Sequence, residues 1–278
     1  MKNLINLLAL ICSISIISCS DTEVTRQETS EIESLNAPAI AGLFKKRVLI
    51  EDFTGTWCGN CVSVLFALEK IYETPNNSAV TVAIHSGNDP FKFVGVQPLH
   101  EYIFPNGNVS LPEARLNRNI VWKDQDTNIA EPLNLRSNNC GLGLSIKSNL
   151  TNQNINLNVE AKFAQNYSGL KIVVYLLENK LRYKQTNYTQ YYTNATTILD
   201  FEHNHVLRKS ITNLLGDQIE ETIEEGKTIN KNYSFAVPAN VAVSNNISFV
   251  AFIVDSNNNV INVRESYINQ SQVLEENL

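Results

Sequence analysis

The chain has 278 residues and a formal net charge of −6, from 22 basic and 28 acidic side chains. That balance argues against a nucleic-acid partner, which a basic surface would attract. The length exceeds one small folding unit and predicts two domains, and the five cysteines make redox compartment the first question.

At the N-terminus, Lys2 precedes an apolar stretch from Leu4 to Ile17 that ends in Ile16-Ile17-Ser18-Cys19. The stretch is too short for a comfortable transmembrane span, and its end resembles a bacterial lipobox. This reading makes residues 1–18 a lipoprotein signal peptide and Cys19 the lipid attachment site, leaving the mature chain tethered to a membrane face. Cleavage also removes Lys2, so 21 basic residues then face 28 acidic ones. Residues 19–41 are rich in Ser, Thr and Glu and predict a flexible tether.

The next run, Arg47 to Phe53, suits a buried strand, and Val62, Leu65, Phe66, Leu68 and Ile71 recur near helical period. Between them lies Trp57-Cys58-Gly59-Asn60-Cys61. At a strand-to-helix junction this spacing brings the two sulfurs within disulfide reach. Free N–H groups and the positive end of the helix dipole would stabilise a thiolate at Cys58, making it the nucleophile and Cys61 the resolving thiol. Two other readings stay open. Half of a zinc site is one, although zinc needs about four ligands and Cys140 alone follows Cys61. A static structural disulfide is the other, although closing so short a loop gains little chain entropy.

Asp52-Phe53 followed by Trp57-Cys58-Gly59-x-Cys61 resembles the active-site segment of the thioredoxin superfamily. The resemblance implies an α/β thioredoxin-like domain over residues 42–135. It makes Asp52 a buried carboxylate that moves protons to and from the resolving thiol; a strand-end carboxylate facing solvent is the alternative. It also implies a cis-proline beside the disulfide, for which Pro112 in Leu111-Pro112-Glu113 is the best candidate over Pro90, Pro98 and Pro105. The chain departs from the family in having Asn60 and Val62 where other residues are common, which leaves redox potential and partner choice open. Ala79 to His85 reads as the next buried strand, and residues 86–108 as an insertion near the active face.

After Leu135 the pattern changes to strands: Leu142–Lys147, Ile155–Ala161, Leu170–Leu176, Tyr233–Val237 and Ile247–Val254, with a hairpin turn at Asp255–Asn259 before Val260–Val263. Antiparallel strands without helices between them predict an all-β immunoglobulin-like sandwich over 136–278. An insert from Arg182 to Lys227 interrupts the rhythm with Tyr183, Tyr188, Tyr191 and Tyr192, read as cover for the sandwich edge rather than a binding surface. His203 and His205 could ligate a metal from one strand face, but no third ligand is evident, and a polar loop entering a strand is preferred. Cys140 reads as a small buried hydrophobe, with a spare exchangeable thiol as the alternative.

The lipobox, the Glu51–Cys61 segment, the β-rich second half and His203-Asn204-His205-Val206-Leu207-Arg208 together resemble the outer membrane protein twenty-eight-related lipoproteins. That resemblance implies a lipid-anchored protein of the bacterial outer membrane. The expected activity is thiol-disulfide exchange on exported proteins through Cys58 and Cys61, with Asp52, Pro112 and Trp57 in the site. It needs exported thiols or disulfides and a redox partner, no metal, and no cofactor beyond the disulfide and the lipid. A peroxidase would need a nearby Arg and Thr that the motif lacks. The competing expectation is a non-catalytic surface or periplasmic binding lipoprotein in which the fold is a scaffold.

Overall fold

A computed structural model describes residues 38–278. The signal peptide expected at 1–18, the lipid site at Cys19 and nearly all of the 19–41 tether lie outside the described residues. The first part of the described chain forms β1 (Phe44–Lys46), β2 (Val48–Thr54), helix α1 (Val62–Glu73), β3 (Ala79–His85), helix α2 (Gln97–Ile103), β4 (Glu113–Leu116), β5 (Ile120–Trp122), helix α3 (Ala130–Asn134) and β6 (Ser137–Cys140). Ten strands follow: β7 (Leu142–Thr151), β8 (Asn154–Phe163), β9 (Lys171–Glu178), β10 (Leu181–Thr186), β11 (Thr197–His203), β12 (Val206–Ser210), β13 (Asp217–Gln218), β14 (Thr228–Ala236), β15 (Ile247–Val254) and β16 (Val260–Tyr267).

β2, β3 and β15 are buried at every position, as continuous apolar runs with both faces covered must be. Helix α1 runs without Gly or Pro and stops at Thr74, whose extended backbone (φ −73°, ψ 129°) is the conformation imposed by the following Pro75. β2 pairs in parallel with β3 and antiparallel with β4. β12 pairs with β3 at Val206–Ala83 and, along its length, with β9. A single mixed sheet of nine strands results, in the order β16-β15-β9-β12-β3-β2-β4-β5, with β13 beside β9.

Alternation along the strands distributes three cores. On one face of β9 and β15, Val174, Leu176, Phe249 and Ala251 pack with Leu144, Ile146, Leu157 and Val159 of the β14-β8-β7 sheet, a sandwich-like layer. On the other face, Val173, Leu177, Val250 and Phe252 share a cluster with Leu49, Phe53, Val82 and Ile84 of β2 and β3 and with Leu99 and Ile103 of α2. Val48 and Ile50, on the opposite side of β2, pack against Val64, Ala67, Leu68 and Ile71 of α1.

The expected α/β thioredoxin-like domain followed by an immunoglobulin-like sandwich is overturned by this topology. The chain is strand-dominated, and the strands near the cysteine motif are not a separate α/β unit: they share one sheet with the C-terminal strands. The cause is β12, which lies in the segment read as an insert. By pairing with β3 on one side and β9 on the other, it turns what the change of pattern at Leu135 suggested was a break into a continuous sheet.

A buried ion pair of the N-terminal part reaches across the same junction through the other bonds of its arginine. Arg118 and Glu51 both have 0% exposed side chains. Arg118 Nη2 donates to Glu51 Oε1 at 2.9 Å and to the Tyr175 hydroxyl at 3.0 Å, Nε donates to Glu51 Oε2 at 3.3 Å, and Nη1 donates to the Leu214 carbonyl at 3.1 Å. The guanidinium also lies 4.9 Å from the centre of the Phe252 ring. Burial alone would pull Arg118 below its ordinary pKa, but Glu51 outweighs it and holds the group above that value. Arg118→Ala leaves the Glu51 carboxylate buried without its partner and is expected to cost about 3–5 kcal/mol in urea unfolding. A loss below about 1 kcal/mol would show that Arg118 does not hold this buried network together.

Candidate functional site

β2 ends at Thr54, and the chain turns through Gly55 to Cys61 before entering α1. Cys58 N–H donates to the Gly55 carbonyl at 2.9 Å, and Gly59–Cys61 forms one 3-10 turn continuous with α1. Cys58 and Cys61 are joined in a disulfide with Cα atoms 5.4 Å apart. Both are buried, Cys58 at 5% and Cys61 at 0% relative exposure, whereas Trp57 beside them is 46% exposed and donates from Nε1 to the Ser86 carbonyl at 2.9 Å. Among the described residues, no group of three or more His, Cys, Asp or Glu side chains is placed to hold a metal ion.

Two adjacent buried carboxylates on β2 have opposite fates. Glu51 points to the face that carries Arg118, and strand alternation sends Asp52 to the α1 side with Val48 and Ile50. There both Asp52 oxygens are buried without a hydrogen-bond partner among the described residues, and burial pushes its pKa up to about 8. Asp52 is therefore not the solvent-facing strand end that was its alternative reading. The Leu111–Pro112 peptide is cis, and Pro112 leads directly into β4, which pairs Glu113 with Phe53 and Ala114 with Asp52. Among its competitors, Pro98 lies in the first turn of α2.

What lies over the disulfide is the segment that the sequence placed at the sandwich edge. β10 and β11 form a two-stranded sheet of their own. Where β10 ends, Thr186 N–H donates to the Thr56 carbonyl at 2.9 Å and Tyr188 N–H to the Gly59 carbonyl at 3.0 Å. The buried Gln185 amide donates to the Cys58 carbonyl at 3.1 Å and the Thr186 carbonyl at 2.9 Å. The Tyr188 ring lies so close to Gly59 that any side chain there would run into it. Tyr191 stacks on Phe66 of α1 with ring centres 3.9 Å apart and donates its hydroxyl to Asp126 at 2.6 Å. Phe66, expected on the core face of α1, is thus turned to this hairpin, and Val64 and Ala67 take the core positions.

The underside of the hairpin rests on a second polar cluster. Asp89 Oδ2 accepts from Thr56 N–H at 2.6 Å and lies 3.2 Å from His85 Nδ1, and Asp89 Oδ1 accepts from Phe91 N–H at 2.7 Å. Burial would raise the Asp89 pKa, but these bonds outweigh it and hold the carboxyl below its ordinary value. His203 sits with its ring centre 5.3 Å from Phe91 and 5.5 Å from His85, and burial, helped by His85, pushes its pKa down to about 4. His205 goes elsewhere: it stacks on Tyr72 at 5.3 Å, with Nδ1 3.6 Å from Glu265 Oε1. The two histidines therefore do not converge on one metal. Cys140 is a buried free thiol directed at the Ile261 carbonyl, 3.6 Å away.

Gln185, Tyr188, Tyr191, His85 and Asp89 were not among the expected site residues. The tyrosine cluster was the one available signal, and it was assigned to a different surface.

The two perturbed groups give opposite pH dependences. His203 is depressed from 6.5 to about 4, so its contribution is full above about pH 6.5 and is lost as pH falls through 4, because the unfolded chain binds the proton first. Stability should fall by up to about 1.4 kcal/mol per pH unit across that window, and His203→Gln should flatten the slope. Asp52 is raised from 3.8 to about 8, so its contribution is full below about pH 4 and is lost as pH rises through 8. Asp52→Asn should be the more stable protein at pH 8, by more than about 2 kcal/mol. Urea titrations at pH 4.5, 6.5 and 8 check both, and parallel pH profiles for wild type and variants would contradict the assignments.

Comparison with known proteins gives the family. No curated protein matches the chain. The solved structure of HBP35 of Porphyromonas gingivalis is similar over 83% of this chain and 78% of its own, at a TM-score of 0.60 and 16% identity, a likeness of fold. A protein from Agrobacterium tumefaciens is 11% identical over 85% of this chain and 98% of its own, at a TM-score of 0.49. A domain of the outer membrane lipoprotein Omp28 from Porphyromonas gingivalis is 22% identical over 47% of this chain and 89% of its own, at a TM-score of 0.30. The family model described as outer membrane protein Omp28 matches residues 102–272, more than half of the sequence and entirely beyond the two paired cysteines. The chain belongs to the outer membrane protein Omp28 family, which places it in the bacterial cell envelope.

Proposed function

We propose that the protein is a non-catalytic binding lipoprotein of the cell envelope, tethered through lipid on Cys19, in which Cys58–Cys61 is a structural staple. The observation that carries this reading is the burial of both cysteines in a turn whose Thr56, Cys58 and Gly59 carbonyls are capped by residues 185–188. Exchange requires a thiolate to approach a sulfur of the disulfide, and both cysteines are buried, with the hairpin bonded to their turn. The staple holds the turn whose carbonyls, at Thr56, Cys58 and Gly59, seat the hairpin. The family match supports the same reading, since it begins at residue 102 and does not depend on the cysteines. No described helix is long and apolar enough to cross a membrane, and a lipid on Cys19 would supply the attachment.

A second reading keeps one observation in its favour. A membrane-anchored thiol-disulfide oxidoreductase acting on exported proteins would use Cys58 and Cys61 with a redox partner and a proton-moving group, and Asp52, raised to about 8, titrates where such a group is useful. The reduction potential separates the two. The full chain, equilibrated in dithiothreitol buffers with Cys58→Ser as control, is expected to hold its disulfide to below about −300 mV, the range of structural bridges. A reversible couple between about −120 and −270 mV would favour the oxidoreductase.

A further inference from the structure

We infer that residues 181–203 form a hinged cover over the Cys58–Cys61 turn, and that lifting this cover is the event that makes the disulfide chemically reachable. The inference goes beyond the proposed function: it concerns access to the sulfurs, whatever reacts with them.

Three features of the hairpin point to it. First, β10 and β11 pair only with each other and join neither the nine-stranded sheet nor the three-stranded one. A strand built into a large sheet cannot leave without breaking two ladders; this hairpin has none to break beyond its own. Second, both roots of the hairpin carry a residue in the left-handed region, Lys180 (φ 60°) before β10 and His205 (φ 59°) after β11. Lys180 N–H donates to Asn204 Oδ1 at 2.8 Å, so the roots are tied to each other and the hairpin can move as one piece. Residues in sparsely populated backbone regions at the ends of an element are where a hinge absorbs its change in φ and ψ.

Third, apart from two main-chain bonds the seat consists of side-chain contacts, which can part without breaking a sheet ladder. The main chain contributes the Thr186–Thr56 and Tyr188–Gly59 bonds, and side chains add Gln185 on Cys58, Tyr188 on Gly59 and Tyr191 on Phe66 and Asp126. Beneath them Leu181 touches Phe91 and Val206, Tyr183 and His203 pack on the Phe91 ring at 6.1 and 5.3 Å, and His203 Nε2 has no partner among the described residues. Strands β9 and β15, by contrast, are buried on both faces and open only with the whole protein. Trp57, half exposed beside the buried cysteines, marks the edge of the covered area.

The test is the rate at which tris(2-carboxyethyl)phosphine reduces Cys58–Cys61 in the folded full chain, without denaturant. Each event breaks one S–S bond and oxidises one phosphine to its oxide, with water supplying the oxygen and the protons of the two thiols. Replacing the seat contacts by Gln185→Ala with Tyr188→Ala is expected to raise the rate about tenfold or more, as lost contacts of about 1 kcal/mol each enlarge the open population, with Tm lowered by no more than those same contacts contribute. Equal rates in variant and wild type would overturn the cover. If the variant does not fold, hydrogen exchange on the wild-type protein decides: the Thr186 and Tyr188 amides should exchange together and at least tenfold faster than those of β9 and β15. Exchange of those two amides only with the core strands would overturn the inference.

Discussion

The Arg118 guanidinium has no contact with water, and much of the structure follows from what it needs. Taking an ion out of water costs several kcal/mol unless every donor finds an acceptor. The acceptors come from separate parts of the chain: Glu51 on β2, Tyr175 on β9 and the Leu214 carbonyl in the loop before β13, with the Phe252 ring of β15 over the cation. Moving the N-terminal strands away from the C-terminal ones would keep the Glu51 pair but strip Arg118 of Tyr175, the Leu214 carbonyl and the Phe252 ring, and would expose the apolar cluster that surrounds it. The continuous sheet and the Arg118 bonds therefore favour the same arrangement, the sheet through β12 and Arg118 by bonding Glu51 of β2 and Tyr175 of β9.

This arrangement also decides what the cysteine turn can do. β2 is held on both sides, so Gly55–Cys61 emerges from its end in one position, and the segment following β10 arrives with two N–H groups opposite the Thr56 and Gly59 carbonyls. Glycine at 59 lets the Tyr188 ring rest on that backbone, and a side chain there would displace the ring. The turn thus serves as a seat, and the disulfide within it limits how far the seat can deform. Asp52 shows the cost of the location: alternation puts it one position from the paired Glu51 but on the face that offers no donor, and it keeps its proton to near neutral pH.

Much of the architecture was legible in local pattern. The runs read at residues 47–53, 79–85, 142–147, 170–176 and 247–254 each fall on a strand, and the cysteines lie between a buried run and a segment of near-helical period, as a strand and a helix. The joins were not legible. β12 is only Val206-Leu207-Arg208-Lys209-Ser210, short and half polar, and nothing in five residues specifies that one edge meets β3 and the other β9. Reading a thioredoxin-like unit from the motif failed for the same reason, since a motif describes a turn and not the sheet around it. The hairpin's place was hidden because its decisive contacts are main-chain bonds at Thr186 and Tyr188, which any side chain could make. Phe66 satisfies helical period well enough to be taken for core, yet it faces Tyr191.

The account's central claim is that the Cys58–Cys61 face is closed and the disulfide serves the fold. Turnover tests it most directly: dithiothreitol-driven reduction of insulin, followed by turbidity with and without the full chain. The account predicts progress curves that match dithiothreitol alone. Acceleration proportional to protein concentration and abolished by Cys58→Ser would contradict it and make the turn a working redox centre.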